Sequence, residues 1–442
     1  MNSLLRPTLL PALLLSFAAA HAAPWTASEA VATALRDNPD AALARQRTVA
    51  AEAMIEQANA AWMPQLSVSG RYTDTNSPMM AFGSILNQRA FNFGLDFNHP
   101  GKIDNLNLTG TVGYNLYSGG RATAGRNAAR AGALAAAEDL RAAQQQLATE
   151  AIKSLLNLRK AREAATAVAA GVRAYEAALA NARLRFEAGQ LLKADLLSLE
   201  VQLAQTREQL TVTRHGAALA ERAFLFVLGR EPQPGETVEL AAADPSLDAL
   251  TVPSAANSAN RPELAGLRQR LAAAEKMVAV ARGARRPTVN AFASYQYDRG
   301  WQLDRHADSW LAGVSVDLNV FDGGQTSGKI RQAEAELAQV KEMLRKAELG
   351  FALEAEQARL AHDSARERLD VSAQTVAQAE ESAVLTRARF EKGALLASDL
   401  IGVESRLIEA RMRRTIAEAD ERIALAELHR AIGLTPLGAA NL

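Results

Sequence analysis

The sequence predicts a mainly α-helical protein with a membrane β-barrel, in which four strands from each chain are continued by a long α-helical coiled-coil part. Three observations support this fold class. A long segment of the chain returns at a constant spacing, which indicates an internal tandem repeat. Each copy contains two strand-like runs with one apolar and one polar face. Each copy then continues into long helical patterns that predict a helical hairpin.

The composition favours long helices and excludes several classes of function. Aromatic residues make up only 5% of the 442 residues, and alanine-rich runs favour helices that approach one another closely. The charges of the 49 basic and 49 acidic residues cancel, so the chain lacks the net positive charge that would indicate a nucleic-acid partner. The chain has no cysteine, which excludes disulfides, thiolate metal sites, a cysteine nucleophile and a lipid on an N-terminal cysteine.

Residues 1–22 have the pattern of an export signal peptide. Arg6 supplies the positive start, residues 9–20 form a short apolar core, and Ala20-His21-Ala22 fits a cleavage site. Twelve apolar residues are too few for a transmembrane helix. No later run approaches 18 uninterrupted apolar residues, so we expect a periplasmic, secreted or outer-membrane protein that begins near Ala23.

The rest of the chain is a tandem repeat of two similar copies. RFEAGQLLKADLL at 185–197 returns as RFEKGALLASDLI at 389–401, with eight of thirteen positions identical at an offset of 204. The same offset relates NLYSGGR (115–121) to NVFDGGQ (319–325), and Gly229 to Gly433. Upstream the offset is 223, so the first copy carries 19 extra residues between Tyr72 and Asn115. We therefore divide the mature chain into a first repeat (23–230), a connecting segment rich in proline and serine (231–256), a second repeat (257–435) and a tail (436–442).

Each copy is predicted to begin with a helix, over 27–61 and 262–283, and to end in a helical hairpin. The first hairpin has a 65-residue helix without proline, from Ala122 to Phe186, and a return helix that ends at Leu228. Apolar residues spaced by four and three predict a coiled-coil seam along the first of these helices, at Val168, Val172, Tyr175, Leu179, Ala182 and Phe186.

Two strands follow the first helix of each copy, within 64–73 and 105–117, and within 287–297 and 309–321. Their alternation predicts one face toward lipid, with Val112, Leu116, Val314 and Val316. The opposite face is expected to line a lumen, with Asn107, Thr111, Ser315 and Asp317. Four strands cannot close a barrel, and open sheet edges are not tolerated in lipid, so several chains must pool their strands. All hairpins leave from one end of the sheet, which would be the periplasmic end.

The segment NVFDGGQTSGKI (319–330) is close to a phosphate-binding loop, but the repeat favours a different interpretation. Both copies place two glycines where a strand turns into a helix, Gly119 and Gly120 in the first copy and Gly323 and Gly324 in the second. Ile330 occupies the position of the magnesium-binding Ser or Thr. No histidine has a partner at metal-ligand spacing and no catalytic motif is present, so we expect no enzyme activity, metal or cofactor.

The ordered set of motifs resembles the TolC-like outer-membrane efflux protein family, also called outer membrane factors. The similar features are the duplication, the helix starts at Asn38-Pro39 and Arg261-Pro262, the doubled-glycine junctions and the R-F-x-x-G-x(5)-D-L tips. The resemblance implies a homotrimer with a twelve-stranded barrel continued by a twelve-helix periplasmic tunnel. It further implies an exit duct of a tripartite efflux pump or type I secretion system, whose partners are a periplasmic adaptor (membrane fusion) protein and an inner-membrane transporter.

The family's functional positions match the hairpin tips of this chain. The resemblance implies that Gly189 and Gly393 shape an adaptor-docking surface, and that Asp195 and Asp399 ring a closed aperture. Leu395 stands where some members have a locking arginine, and Gly402 where they have a second acid, so the lock is expected to be weaker or built differently. The alternative interpretation is that both aspartates only cap the return helices.

Two further alternatives stay open at this point. The long helices also fit a periplasmic or surface coiled-coil scaffold or adhesin stalk without a pore, although such a stalk does not explain four matched strands. The long loop 73–104 either packs over its own barrel, constricts the mouth or meets a surface partner.

Overall fold

The computed structural model describes residues 24–96, 98–232, 238–253 and 257–438. The predicted signal peptide lies outside the described residues, as do parts of the connecting segment and of the C-terminal tail. Among the helices that the described ranges contain, none is long and apolar enough to cross a membrane.

The two halves of the chain contain the same long elements in the same order. In the first half these are α1 (Ala27–Asp37), α2 (Pro39–Asn59), β1 (Gln65–Thr75), α3 (Pro78–Asn87), β2 (Ile103–Tyr117), α4 (Arg121–Glu187) and α5 (Lys193–Val227). After the short α6 (Pro245–Asp248), the second half has α7 (Pro262–Gly283), β3 (Thr288–Gly300), β4 (Arg305–Asp317), α8 (Gln325–Glu391) and α9 (Ala397–Ala431). The hairpins match in length, because α4 and α8 have 67 residues each and α5 and α9 have 35 each.

Three element predictions were wrong in detail. The helix predicted over 27–61 is two helices, because Pro39 disfavours a helical backbone at Asn38, whose φ and ψ are −69° and 132°. The Asn38 carboxamide instead caps α2 by accepting from the Asp40 amide at 2.7 Å. The last predicted strand ends at Asp317 rather than 321, and the predicted loop 73–104 contains the helix α3.

The four strands form one antiparallel sheet in the order β1-β2-β3-β4. Val112 lies opposite Leu66 and Ala293, and Val314 lies opposite Ala291. Because directly opposed residues share a face, the apolar positions of all four strands form one surface, and the predicted alternation is confirmed. Asn107, Thr111, Ser315 and Asp317 occupy the other face.

Several positions depart from the simple alternation. The register shifts between Asn115 and Tyr117, so Leu116 lies in an irregular part of β2 and the pairing does not assign it to a face. Phe292 and Leu311 belong by register to the polar face. That face is otherwise a hydrogen-bonded network, in which Asn105 and Asn107 donate to the buried Asp298 at 2.6 Å and 3.0 Å.

All long helices leave the sheet at one end. At that end Gln65 pairs with Gly113, and Thr288 pairs with Asp317. The strand-to-strand connections lie at the opposite end, where α3 packs across the sheet through Ala81 and Ile85. The long loop therefore packs over its own sheet.

The two hairpins lie side by side, with α4 against both α5 and α9. Two larger clusters hold them: one about halfway along α4, around Leu155 and Phe224, and one toward the tips, around Tyr175 and Leu400. The predicted seam is buried from Val168 to Ala182. Phe186 is an exception, because its side chain is 38% exposed.

Each hairpin ends against the start of an earlier helix. Gly229 has φ +71°, and a Cβ at this position would lie 2.7 Å from the Asp37 carbonyl oxygen. Gly433 has φ +80°, and its Cβ would lie 2.9 Å from the Arg261 amide nitrogen. These two close approaches place the Asn38-Pro39 and Arg261-Pro262 motifs at equivalent points of the two halves.

Candidate functional site

The two hairpin tips turn through the same local geometry. Gly189 and Gly393 have φ of +71° and +76°, a region in which a side chain is strained. At the first tip the Gly189 amide donates to the Phe186 carbonyl at 2.9 Å, and the next amide donates to the Arg185 carbonyl at 2.8 Å. The second tip repeats both bonds at 2.9 Å. Each long helix therefore ends in a Schellman motif that requires glycine.

The two tip aspartates are the third residues of their helices, not the capping residues. The capping positions before α5 and α9 are held by Leu192 and Leu396. Of the residues that the structure describes, only the Leu396 amide donates to the Asp399 carboxylate, over a long distance of 3.4 Å. Within the described part of the chain, the Asp195 carboxylate accepts no hydrogen bond. Asp399 thus makes one long capping bond at the start of α9 and Asp195 makes none at the start of α5, and both carboxylates lie in the favourable field of a helix N-terminus.

The fold brings the two tips together. A groove of about 370 Å³ lies between them and is lined on one side by Asp195 and on the other by Gly393, Leu395 and Asp399. Gly189 lies outside its lining. Three of the four predicted tip residues therefore share one groove within a single chain. Leu395, which stands where some family members have a locking arginine, lines the same groove.

Arg185 joins the tips, although it was not among the predicted tip residues. Its Nη1 donates to the Phe390 carbonyl at 2.8 Å, and its guanidinium carbon lies 5.3 Å from the centre of the Phe390 ring. The end of α4 is thereby attached to the end of α8. An arginine near the last carbonyls of a helix interacts favourably with the helix dipole. The repeated R-F of the tip motif was the signal that could have indicated this contact.

Buried polar contacts connect the helices a few turns away from the tips. The Arg387 guanidinium donates to the buried Glu404 carboxylate at 2.7 Å, and this hydrogen bond raises the pKa of Arg387. The Tyr175 hydroxyl donates to the Ile401 carbonyl at 3.1 Å, and burial raises the pKa of Tyr175. Both contacts connect neighbouring helices a few turns from the groove.

The doubled glycines at the strand–helix junctions all have positive φ, as left-handed turns require: +67° and +84° for Gly119 and Gly120, and +64° and +92° for Gly323 and Gly324. A Cβ at Gly119 would lie 2.5 Å from the Gly283 carbonyl oxygen, so the end of α7 packs directly on this junction.

The second junction differs from a phosphate-binding loop. The Asp322 carboxylate accepts from the Gly324 and Thr326 amides at 3.1 Å and 2.8 Å. A hydrogen bond from the Thr326 side chain, followed by the bonds from these amides, lowers the pKa of Asp322. An anionic side chain of the protein itself therefore occupies the amides that a phosphate would need.

Comparisons with known proteins agree with this architecture. The family model described as "Outer membrane efflux protein" matches residues 30–230 and 255–434. The outer membrane efflux protein BepC of Brucella suis is 25% identical over 244 residues, which are 53% of this chain and 52% of that protein. The match thus spans about half the length of this curated relative.

Solved structures share the fold over nearly the whole chain. The CmeC outer membrane channel of Campylobacter jejuni is 16% identical, with a TM-score of 0.77 over 92% of this chain and 85% of its own. The MtrE outer membrane channel of Neisseria gonorrhoeae, solved in an open state, is 17% identical, with a TM-score of 0.74 over 93% and 89%.

Proposed function

The chain belongs to the outer membrane efflux protein family, and from this premise we propose that it forms the outer-membrane exit duct of a tripartite efflux pump or type I secretion system. The protein is an outer-membrane protein, with its helical part in the periplasm. Substrates would enter from a periplasmic adaptor and an inner-membrane transporter and leave to the exterior.

The observation that carries this proposal is an unfinished sheet with an exposed apolar face. Among the described strands, β1 and β4 each pair on one side only. Val68, Trp310 and Val316 on the apolar face are 78%, 76% and 67% exposed. Unpaired edges in hydrocarbon would leave backbone groups without partners, so strands of other copies must complete the sheet. Three copies give twelve strands, an even number as in bacterial barrels.

The helices supply the periplasmic part of the duct. A helix of 67 residues reaches about 100 Å at 1.5 Å per residue. Six such hairpins from three copies, all leaving one end of the barrel, would form a tunnel that continues its lumen. A coiled-coil stalk without a pore would share these helices, but it would have no use for four strands with a lipid-like face.

The hairpin tips are the proposed docking and aperture site. Gly189 and Gly393 shape the turns that an adaptor would contact, and Asp195 and Asp399 bring six carboxylates to the narrow end of a trimer. Neither carboxylate is neutralised by an ion pair in the described structure. Clustered negative charge would favour cations over anions in the pore.

Assembly and conduction test the main proposal together. Protein extracted from the outer membrane should give trimers on amine cross-linking and discrete conductance steps in planar bilayers. A stable monomer in membranes, or trimers that never conduct, would contradict the proposed duct.

The tip residues are tested separately. Replacing Asp195 and Asp399 by Asn should lower the cation selectivity of single channels with little change in thermal stability, because the caps of α5 and α9 are other residues. Unchanged selectivity would reject the acidic ring. Gly189→Val and Gly393→Val should abolish export while trimers remain in the outer membrane, and normal export by both variants would reject tip docking.

A further inference from the structure

We infer that the contact that joins the two tips inside one chain is repeated between chains, with Arg389 of one protomer docked on the end of α4 of the next protomer. In this arrangement the Arg389 guanidinium donates to the Phe186 carbonyl and lies over the Phe186 ring of a second copy of this chain. The inference rests on the proposed trimeric duct and names the residues that join its protomers at the tips.

The internal repeat provides the first argument. Arg185 and Phe186 of the first tip correspond to Arg389 and Phe390 of the second, at the constant offset of 204. Among the described residues one of the two equivalent contacts is made, that of Arg185 with the carbonyl and ring of Phe390. A ring of alternating first and second hairpins would bring the other pair together at each boundary between chains.

The exposed fractions of the two phenylalanines provide the second argument. Phe390, which is covered by Arg185 and by the tip cluster, is 1% exposed, whereas Phe186 is 38% exposed. The side chain of Arg389 is exposed, and the described structure gives it no hydrogen bond or ion pair. Arg389 and Phe186 are thus both exposed, and by the repeat they are the counterparts of Arg185 and Phe390, which contact each other.

The backbone acceptor is also suitable. The Phe390 carbonyl accepts the Gly393 amide of its own turn at 2.9 Å together with the Arg185 guanidinium at 2.8 Å. The Phe186 carbonyl accepts the corresponding Gly189 amide at 2.9 Å. Because the two turns have the same bonds, the Phe186 carbonyl can accept a guanidinium in the same way. It also lies at the negative end of α4, which favours a cation.

The helix beside the tip shows the same incomplete pairing. Leu197 and Val201 on α5 are 48% and 57% exposed. Their counterparts at the offset of 204 are Ile401 and Ser405 on α9, which contact α4 through the Tyr175 hydroxyl. By the same equivalence, the exposed face of α5 would pack against α8 of the neighbouring protomer, the helix that carries Arg389.

The result would be six arginine contacts around the aperture, three within protomers and three between them. Each would hold the C-terminal end of one long helix to the next. Such a ring would attach adjacent hairpins to one another and hold the aperture closed. It would take the role of the locking arginine that some family members have at the position of Leu395.

The absence of cysteine in the chain allows a direct test by paired cysteine variants and a short thiol-specific cross-linker. Phe186→Cys with Arg389→Cys should give covalent dimers and trimers in denaturing gels. The matched control, Arg185→Cys with Phe390→Cys, should become cross-linked at the mass of a monomer, because both residues lie in one chain.

Amine cross-linking of the same samples separates the two levels of the proposal. Trimers by amine cross-linking with only monomers for the Phe186/Arg389 pair would overturn the contact between protomers alone. Absence of trimers in the parent protein would overturn the proposed duct and the contact with it.

Channel recordings give a second readout that needs no cysteine. Arg389→Ala should increase the open probability of the channel by the same factor as Arg185→Ala, since each removes three of six equivalent contacts. The conservative Arg389→Lys variant should recover part of the closure, because an ammonium group can still donate to the carbonyl. An open probability unchanged by Arg389→Ala but increased by Arg185→Ala would refute the equivalence.

Discussion

Replacement of Val112 by arginine should prevent stable insertion of the barrel, whereas the same replacement at the adjacent Thr111 should not. Val112 lies on the apolar face of the central strand β2, opposite Leu66 and Ala293. Thr111 lies on the polar face, opposite Ser67 and Ser294. The two variants differ by one position in the chain and carry the same added charge, so a difference between them reports only the face.

The position of Val112 along β2 gives the magnitude. It lies five positions before Tyr117, the end of the strand on the helix side. At about 3.4 Å per residue and a tilt of about 40°, Val112 lies about 13 Å above that end. This is close to the middle of an apolar band about 25 Å tall, where an arginine on the lipid face costs about 2–4 kcal/mol. A cost of that size lowers the equilibrium constant for folding into the membrane by a factor of about 30 to 700.

Heat-modifiable gel mobility of outer-membrane fractions measures the folded barrel directly. Val112→Arg should leave little protein in the heat-modifiable form, and Thr111→Arg should resemble the parent protein. Equal insertion of both variants would refute the assignment of a lipid face. The reverse order would mean that the strand register is displaced by one residue.

Three further predictions concern the contacts that hold the fold. Gly433→Ala should destabilise the protein to urea more than Gly189→Ala: the left-handed backbone costs each about 1–2 kcal/mol, but only the first variant also places a Cβ 2.9 Å from backbone atoms. Burial opposes ionisation of Glu263, but its hydrogen bond with Arg261 holds the pKa of Glu263 below its ordinary 4.5. The ionised carboxylate therefore stabilises the fold above pH 4.5, and this stabilisation is lost as the pH falls through the lowered pKa. In thermal melts at decreasing pH, Glu263→Gln should lack this part of the acid destabilisation. Gln88 is fully buried and donates to the β2 backbone at 2.7 Å. Gln88→Ala should therefore weaken the attachment of the external loop by about 1–3 kcal/mol and increase the rate at which added protease cleaves the loop. An unchanged cleavage rate would contradict this role.

Much of the fold could be predicted because it depends on local periodicity. The alternation in 105–117 required a strand with two unlike faces, and the proline-free run from 122 to 186 required a helix, whose observed ends differ by one residue. The turns at Gly189 and Gly393 could be predicted because each glycine ends a helical pattern, and both have positive φ. The break at Asn38 was missed although its signal, the following proline, is equally local.

The sequence by itself determined the duplication, the order of elements, the two faces of the strands and the turns at the tips, because backbone conformation and hydrophobic periodicity act over a few residues. Only the tertiary structure decided which distant groups meet: Arg185 with Phe390 across 205 residues, Gly119 against Gly283, and α3 over the end of its own sheet. It also decided that two equivalent phenylalanines differ, with Phe390 buried and Phe186 exposed. The two copies have the same motif, so no local pattern can distinguish them. They differ because folding of a single chain brings Arg185 over Phe390, whereas the partner that we infer for Phe186 belongs to a second copy.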